Sequence, residues 1–490
     1  MTLSPRTLRN IAADSSLAII LVGLSGPLWY LTTLVMARYY GAQAMGTYFI
    51  AWNLVLIITG ICRLGLDSGL LRFSAILHAK GQGGGVKRLF WPAIGLMTLV
   101  STGAAAVLIL CREWLAVRFG APYLPMVILF LAPALPVFTI SFGFRETIRA
   151  LGGVKSAVFQ KNFLIHLTFA IFLLILAYGG GNLIDKVGML GLAALLSCLV
   201  NLLFLAILYQ TWTRRISVSP GEDSFRDLFW YSLPLFVNSI LLAFNTVDRL
   251  VLGYFTSPQE VAYYEVAARL ETIIMLPLVA VNSVIPPLIA QFYEFGNLQS
   301  LEMMAQTTAR WAYHMALPLT LLLILLAPEI LGFFGKDFSK ASFALIVLSL
   351  GELVNVAAGS VGFILNMTGH QWQVAGLRFV AMIISFTLMV VLAKTHGLNG
   401  LACASATGNV LINIFLIFAI WRYMKIRSFA RGIMVANISA LLAVLCFFLT
   451  RPWVGSFGAA GFFLLAYLAL VAKSIKKEIE SGFDFQKKTA

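Results

Sequence analysis

The residues of this 490-residue sequence with most chemistry to offer are charged side chains that fall inside long apolar runs. Arg63 and Asp67 are spaced i,i+4 and so share one face of a helix. Asp248 and Arg249 are adjacent, and Glu265, Arg269 and Glu271 follow within the next apolar segment. A charge at membrane depth costs at least about 2.5–3.5 kcal/mol, so each of these calls for a compensating role. One role is ligand binding, because a guanidinium stays ionised and grips carboxylate or phosphate oxygens with two parallel donors. The other is mutual neutralisation, Arg63 by Asp67 and Arg269 by Glu265. Arg249 has a third option, snorkelling to the outer interface.

The elements that must hold these charges are long apolar helices. Sixty per cent of the residues are hydrophobic and 11% are charged, with a mean hydropathy of +0.90. A soluble domain is about 45–50% apolar and roughly 25% charged. Runs of about 18–25 apolar residues, enough to cross a ~30 Å hydrocarbon core, recur along the whole chain. About fourteen are expected, the first near 15–37 and the last near 453–472. Arg6 and Arg9 precede the first run, and no A-x-A cleavage site follows it, so it reads as a retained helix rather than a signal peptide. Arg63 then lies about six residues, roughly 9 Å, from the cytoplasmic end of its helix, and Arg269 about 12 Å below the outer surface.

Several other chemistries find no support. The net charge is +15, but the Lys and Arg sit in short gaps between apolar runs and build no single basic face, so nucleic acid is not an expected partner. The five cysteines, Cys62, Cys111, Cys198, Cys403 and Cys446, form no CxxC motif, and His78, His166, His314, His370 and His396 are scattered. No metal site, cofactor or catalytic residue is expected. The loop HAKGQGGGVKR (78–88) lacks the Gly-Lys-Ser/Thr ending of a phosphate loop and reads as a connector. Pro133, Pro136, Pro234, Pro277 and Pro318 within or near spans offer kinks.

Loop charge gives an orientation. Twenty-four of the 35 Lys and Arg fall at the N-terminus, in even-numbered gaps or in the tail, against eight in odd-numbered gaps. Both termini are therefore expected in the cytoplasm, with an even number of spans. On this reading Arg72, Arg145, Arg149 and Arg378 are topology charges at helix ends. A weak internal repeat pairs LVMARYYGAQAMGTYFIAWNL (34–54) with LVLGYFTSPQEVAYYEVAARL (250–270), with Leu34/Leu250, Gln43/Gln259 and Tyr48/Tyr264 among the identities. Both stretches are the outer turn between the first two helices of a six-helix unit, which implies two parallel repeats about an axis along the membrane normal. The expected organisation is a six-helix lobe over 1–212, a polar linker over 213–227, a second six-helix lobe over 228–427, and two extra helices with a basic tail over 428–490.

These features carry a family resemblance. The stretch 34–54 with GLDSGLLRFSA (65–75), and YSLPLFVNSILLAFNTVDRLVLGYFTSPQEVAYYEVAARL (231–270), resemble the first helical hairpin and the seventh and eighth helices of the polysaccharide-transport branch of the MOP flippase superfamily, which includes the Wzx-type O-antigen and exopolysaccharide flippases. The resemblance implies an all-α integral membrane protein, V-shaped, with two lobes. It also implies a non-enzymatic function, alternating-access flipping of an undecaprenyl-pyrophosphate-linked oligosaccharide from the cytoplasmic to the periplasmic leaflet of a bacterial inner membrane. A polysaccharide polymerase and a chain-length regulator are the partners it suggests. Arg63, Arg249 and Arg269 are then the expected binders of the anionic cargo, with Asp67, Asp248, Glu265 and Glu271 as ion-pair or cation-coupling partners. Two other readings stand beside it. One is a cation-coupled multidrug or metabolite exporter of the same superfamily. The other is a membrane-embedded glycosyltransferase or polymerase, which would need paired carboxylates.

Overall fold

The computed structural model describes residues 26–178, 183–214, 224–243, 246–282, 285–426 and 434–489. Residues 1–25, where the first span was expected to begin, residues 215–223 of the expected linker, and residue 490 lie outside the described set. Every regular element among the described residues is a helix. Lipid dictates this, since a backbone in hydrocarbon must satisfy its own hydrogen bonds. The chain is a multi-pass membrane protein. Nine helices among the described residues are long and apolar enough to cross a bilayer.

Several of these are compound. The span Gly26–Cys62 is α1 (26–40) joined to α2 (Gly41–Cys62), with a π-helical turn at Met36–Tyr40 and Gly41 at φ 85°. The run Gln371–Met424 breaks at Gly397, whose φ of 55° and ψ of −134° no β-carbon-bearing residue adopts readily. Met434–Val471 is likewise interrupted, at Gly455.

Compact packing divides the chain into a first unit, Met1–Tyr263, and a second, Tyr264–Ala490. In the first, α3 (Leu66–Ala79), α4 (Gly83–Leu110), α5 (Leu124–Ala150), α6 (Val154–Ala177) and α7 (Leu183–Thr213) follow α2. The connector between α3 and α4 is shorter than the loop expected over 78–88, because Gly83–Gly85 already form the first turn of α4. Helix α5 is the centre of the unit and packs on α2, α3, α4 and α7. Its Phe144 meets Phe90 of α4 edge-on at 4.9 Å, and Phe90 stacks on Tyr209 of α7 at 4.1 Å. Hydrocarbon tails are as apolar as these side chains, so close van der Waals packing holds the helices together rather than escape from water.

Small residues permit the closest approaches. Helix α8 (Phe225–Ala243) lies against α2 and α3, and α9 (Val247–Phe255) against α2. A β-carbon on Gly65 would sit 2.4 Å from the Ser232 carbonyl oxygen, and one on Gly46 would sit 1.6 Å from that of Pro258. Gly65 also ends the helical run that α2 begins. At φ 69°, next to Leu64 at φ 52°, it separates α2 from α3. Helix α10 (Pro258–Glu271) carries Glu260, Glu265, Arg269 and Glu271 and is too polar to face lipid. Its flanks are covered instead, with Val261, Ala262, Tyr264, Val266 and Ala267 all at most 1% exposed.

In the second unit, α12 (Ser342–Ala358) packs on α13 (Gln371–Met424) and on α11 (Leu298–Leu325), and α14 (Met434–Thr489) packs on α11. Two tyrosines tie α14 to α11. The Tyr467 hydroxyl donates to the His314 carbonyl at 2.9 Å, and that of Tyr313 to Asn437 at 2.9 Å.

Gly65→Ala should lower the unfolding temperature of the purified protein, by the equivalent of about 1–3 kcal/mol for overlap and left-handed strain together. Gly95→Ala, where an added β-carbon meets nothing within 4 Å, should be neutral. Equal melting of both variants and wild type would contradict this packing.

Candidate functional site

The cationic centre of the first unit is built where α2 ends. The Leu64–Gly65 reversal stops α2 at Cys62, yet it carries the chain straight into α3, so Arg63 still meets Asp67. Arg63 Nη1 donates to Asp67 Oδ2 at 2.9 Å, with side chains 18% and 7% exposed. The pair is not saturated: Arg63 Nε and Asp67 Oδ1 are buried and make no hydrogen bond within the described residues. A buried guanidinium N–H without an acceptor loses on the order of 1–3 kcal/mol, and an anionic ligand oxygen would recover it.

Helix α5 brings a second arginine to the same place. The guanidinium carbons of Arg63 and Arg145 each lie 4.3 Å from the centroid of the Phe142 ring. Phe142 and Arg145 are spaced i,i+3, so one helix face presents both. Arg145 is only 8% exposed and so is not a solvent-facing charge at a helix end. Its Nε contacts Glu146 Oε1 at 3.2 Å, and Glu146 Oε2 accepts from Arg149 Nη1 at 3.2 Å. Lys161, in the π-helical turn Gln160–Leu164 of α6, lies within electrostatic reach of Arg145, Arg149 and Glu146. Four cations, Arg63, Arg145, Arg149 and Lys161, therefore gather around two acids, Asp67 and Glu146. Arg63 and Arg145 are covered and each meets one acid, whereas Arg149 and Lys161 are exposed, so the two surplus positive charges lie on the open side of the cluster.

The other expected residues form pairs of their own. Arg249 Nη1 contacts Asp248 Oδ1 at 2.8 Å and Oδ2 at 2.7 Å. In the second unit Arg269 Nε donates to Glu265, which is 1% exposed, and Glu271 closes the same helix. Each of the three expected arginines thus has an acidic partner, and neutralisation within the protein is present at all three. Among the described residues no group of three or more His, Cys, Asp or Glu is placed to hold a metal ion.

Phe142, Arg145, Glu146 and Lys161 belong to the centre but escaped the sequence reading. The string Phe142-Gly-Phe-Arg145-Glu146 carries the one available signal, an aromatic three residues before an arginine.

Comparison with known proteins places this architecture. The sequence profile of the family described as "Polysaccharide biosynthesis protein" matches residues 11–293, and that of the MatE family matches residues 234–418. A curated relative from Haloferax volcanii, "Probable low-salt glycan biosynthesis flippase Agl15", is 28% identical over 234 residues. That match spans 46% of this chain and 49% of the relative, about half of its length. The solved structure "Lipid II flippase MurJ, inward closed conformation" superposes with a TM-score of 0.71 at 14% identity, over 94% of this chain and 99% of that one. An inward-facing multidrug resistance MATE family transporter of the MOP superfamily gives 0.68 at 15% identity, over 83% and 98%. The last two likenesses are of fold.

If Phe142 couples the two arginines, Phe142→Leu should weaken the unit by about 0.5–2 kcal/mol per lost cation–π contact. A double-mutant cycle with Arg145→Met, read by thermal unfolding, should then show a coupling of the same size. Additivity within about 0.5 kcal/mol would show that the ring does not hold Arg145.

Proposed function

We propose a cargo for this chain, which belongs to the polysaccharide biosynthesis protein family within the MOP flippase superfamily: a lipid-linked oligosaccharide with an anionic phosphate or pyrophosphate head group. The observation that carries this reading is the pair of covered arginines on Phe142, one of which, Arg63, keeps a buried Nε–H with no acceptor among the described residues. A wholly structural network would satisfy its buried donors. A transporter that must draw a diphosphate out of a polar leaflet needs the opposite, a protein interior that is electropositive until cargo arrives. Arginine suits this because its planar fork matches two phosphate oxygens while Phe142 holds the guanidinium plane.

The cargo in this reading is an undecaprenyl-pyrophosphate-linked repeat unit, moved by alternating access from the cytoplasmic to the opposite leaflet of a bacterial inner membrane. The chain acts as a transporter, not an enzyme. Both termini are cytoplasmic in this reading, which the excess of Lys and Arg in the alternate gaps supports. A polymerase and a chain-length regulator would act on the delivered cargo. Arg63 is the principal head-group ligand, and Arg249 and Arg269 are further ligands released in turn from Asp248 and Glu265. The glycan flippase relative from Haloferax volcanii supports a glycan cargo.

The test is surface polysaccharide made by cells that depend on each variant, at matched protein levels in the membrane. Arg63→Ala should reduce output at least about tenfold, the scale of one charged hydrogen bond, and Arg63→Lys should be impaired although charge is kept. Removing both partners, Arg63→Ala with Asp67→Ala, should not restore output. Wild-type output from Arg63→Ala and Arg269→Ala would end this reading, and restoration in the double variant would assign Arg63 to pairing alone.

A further inference from the structure

A row of aromatic rings runs from the cationic centre up through the first unit. Phe138 lies one turn before Phe142 on α5, with ring centroids 5.3 Å apart, and meets Trp52 of α2 at 5.4 Å. Trp52 stacks on Tyr48 at 6.1 Å and 12°, and Tyr48 stacks on Phe169 of α6 at 5.7 Å and 18°. At the far end Tyr48 adjoins Phe49, which meets Trp29 of α1 at 6.4 Å. Trp29 in turn stacks on His166 of α6 at 5.5 Å and 15°. Along α2 the row reaches from Arg63 to Tyr48, roughly 22 Å at about 1.5 Å per residue.

Two features separate this row from core packing. The Phe90, Phe144 and Tyr209 rings of the core are at most 7% exposed, whereas Trp29, Trp52, Phe138, Phe142 and His166 are half-buried, so ring surface stays open along the row. The second feature is composition. Tryptophan in a membrane protein belongs at the interfaces, where its N–H meets water. Trp52 instead lies at the midpoint of α2, against Phe138 at the midpoint of α5. A ligand with apolar C–H surface and a polar rim fits both features. One face of a pyranose presents C–H hydrogens, which suit the negative π-face of a ring, and its rim hydroxyls suit indole N–H and imidazole groups. A polyprenyl chain has no hydroxyl to offer, and the π-face repels a diphosphate.

We infer that Trp29, Trp52, Phe138 and His166, backed by Tyr48, form a sugar-stacking track that carries the glycan of the cargo while its head group is held at Arg63. The inference rests on the flippase reading and adds the class of sugar: pyranoses with equatorial substituents, which leave a flush C–H face to lie on a ring. Continuity with the head-group site selects this occupant, because Phe142 is both the first ring of the row and the ring under Arg63 and Arg145.

The full-length protein, purified in detergent, is given an equimolar mixture of a polyprenyl diphosphate and the same lipid carrying N,N′-diacetylchitobiose, whose ring substituents beyond the lipid linkage are all equatorial. Retained lipids are read by native mass spectrometry. Wild type should retain the glycolipid in preference to the bare lipid. Trp52→Leu and Phe138→Leu should each cut that preference by about two- to tenfold, the scale of one aromatic contact, with binding of the bare diphosphate unchanged. Trp52→Phe, which keeps a ring, should keep most of the preference. A wild type indifferent to the glycan would overturn the track and leave the head-group reading standing, because that reading compares diphosphate with polyprenol. A loss in Trp52→Leu that falls equally on both lipids would also overturn it, since the indole would then only pack. Binding of rhodamine 6G that Trp52→Leu abolishes, in a wild type indifferent to the glycan, would assign the rings to an aromatic cation instead.

Discussion

The structure depends on one constraint, that an ionised side chain in hydrocarbon must be answered by another group. Three arginines show how. Arg63 meets Asp67 and the Phe142 ring, Arg145 meets Glu146 and the same ring, and Arg269 meets Glu265. What distinguishes the first unit is that its answer is incomplete. Arg63 Nε and Asp67 Oδ1 stay buried without hydrogen-bond partners among the described residues, so the centre is held together without being saturated. Neutral partners such as a phenyl ring let arginines stay ordered without discharging them. An interior of that kind is poised for an anion and costs the folded protein stability while none is bound.

Geometry keeps such a centre in place. The positioning begins with Gly65, whose left-handed backbone turns α2 into α3 and whose missing β-carbon admits Ser232 of α8. Arg63 sits just before that turn, and Asp67 just after it. Helix α5 brings Phe142 and Arg145 to them, and is itself fixed by the Phe90–Phe144–Tyr209 stack with α4 and α7. The same logic of close backbones and paired polar groups runs through the second unit, where two tyrosines of α11 and α14 anchor helices that otherwise touch through apolar side chains.

The fold class was legible because lipid imposes it. Span-length apolar runs have few alternatives, and a break such as that at Gly397 only divides one long apolar run into two. The Arg63–Asp67 and Arg269–Glu265 pairs were legible because i,i+4 spacing survives in a helix, and in the first case survives even across the turn at Gly65. Arg145 was not legible as a buried charge. A helix-end arginine looks the same in sequence whether it snorkels to water or stacks on a ring, and only tertiary packing decides. Trp52 and Phe138 meet across two helices, and nothing local in either helix announces the other.

The central claim is that the covered arginines of the first unit, Arg63 and Arg145, select an anionic lipid head group. It is tested most directly by native mass spectrometry of the purified protein with an equimolar mixture of a polyprenyl diphosphate and the matching neutral polyprenol. The account predicts that wild type retains the diphosphate in preference to the alcohol, and that a variant carrying Arg63→Ala and Arg145→Ala together loses the preference while still binding polyprenol. Equal retention of the two lipids by wild type, or an undiminished preference in the double variant, would contradict it.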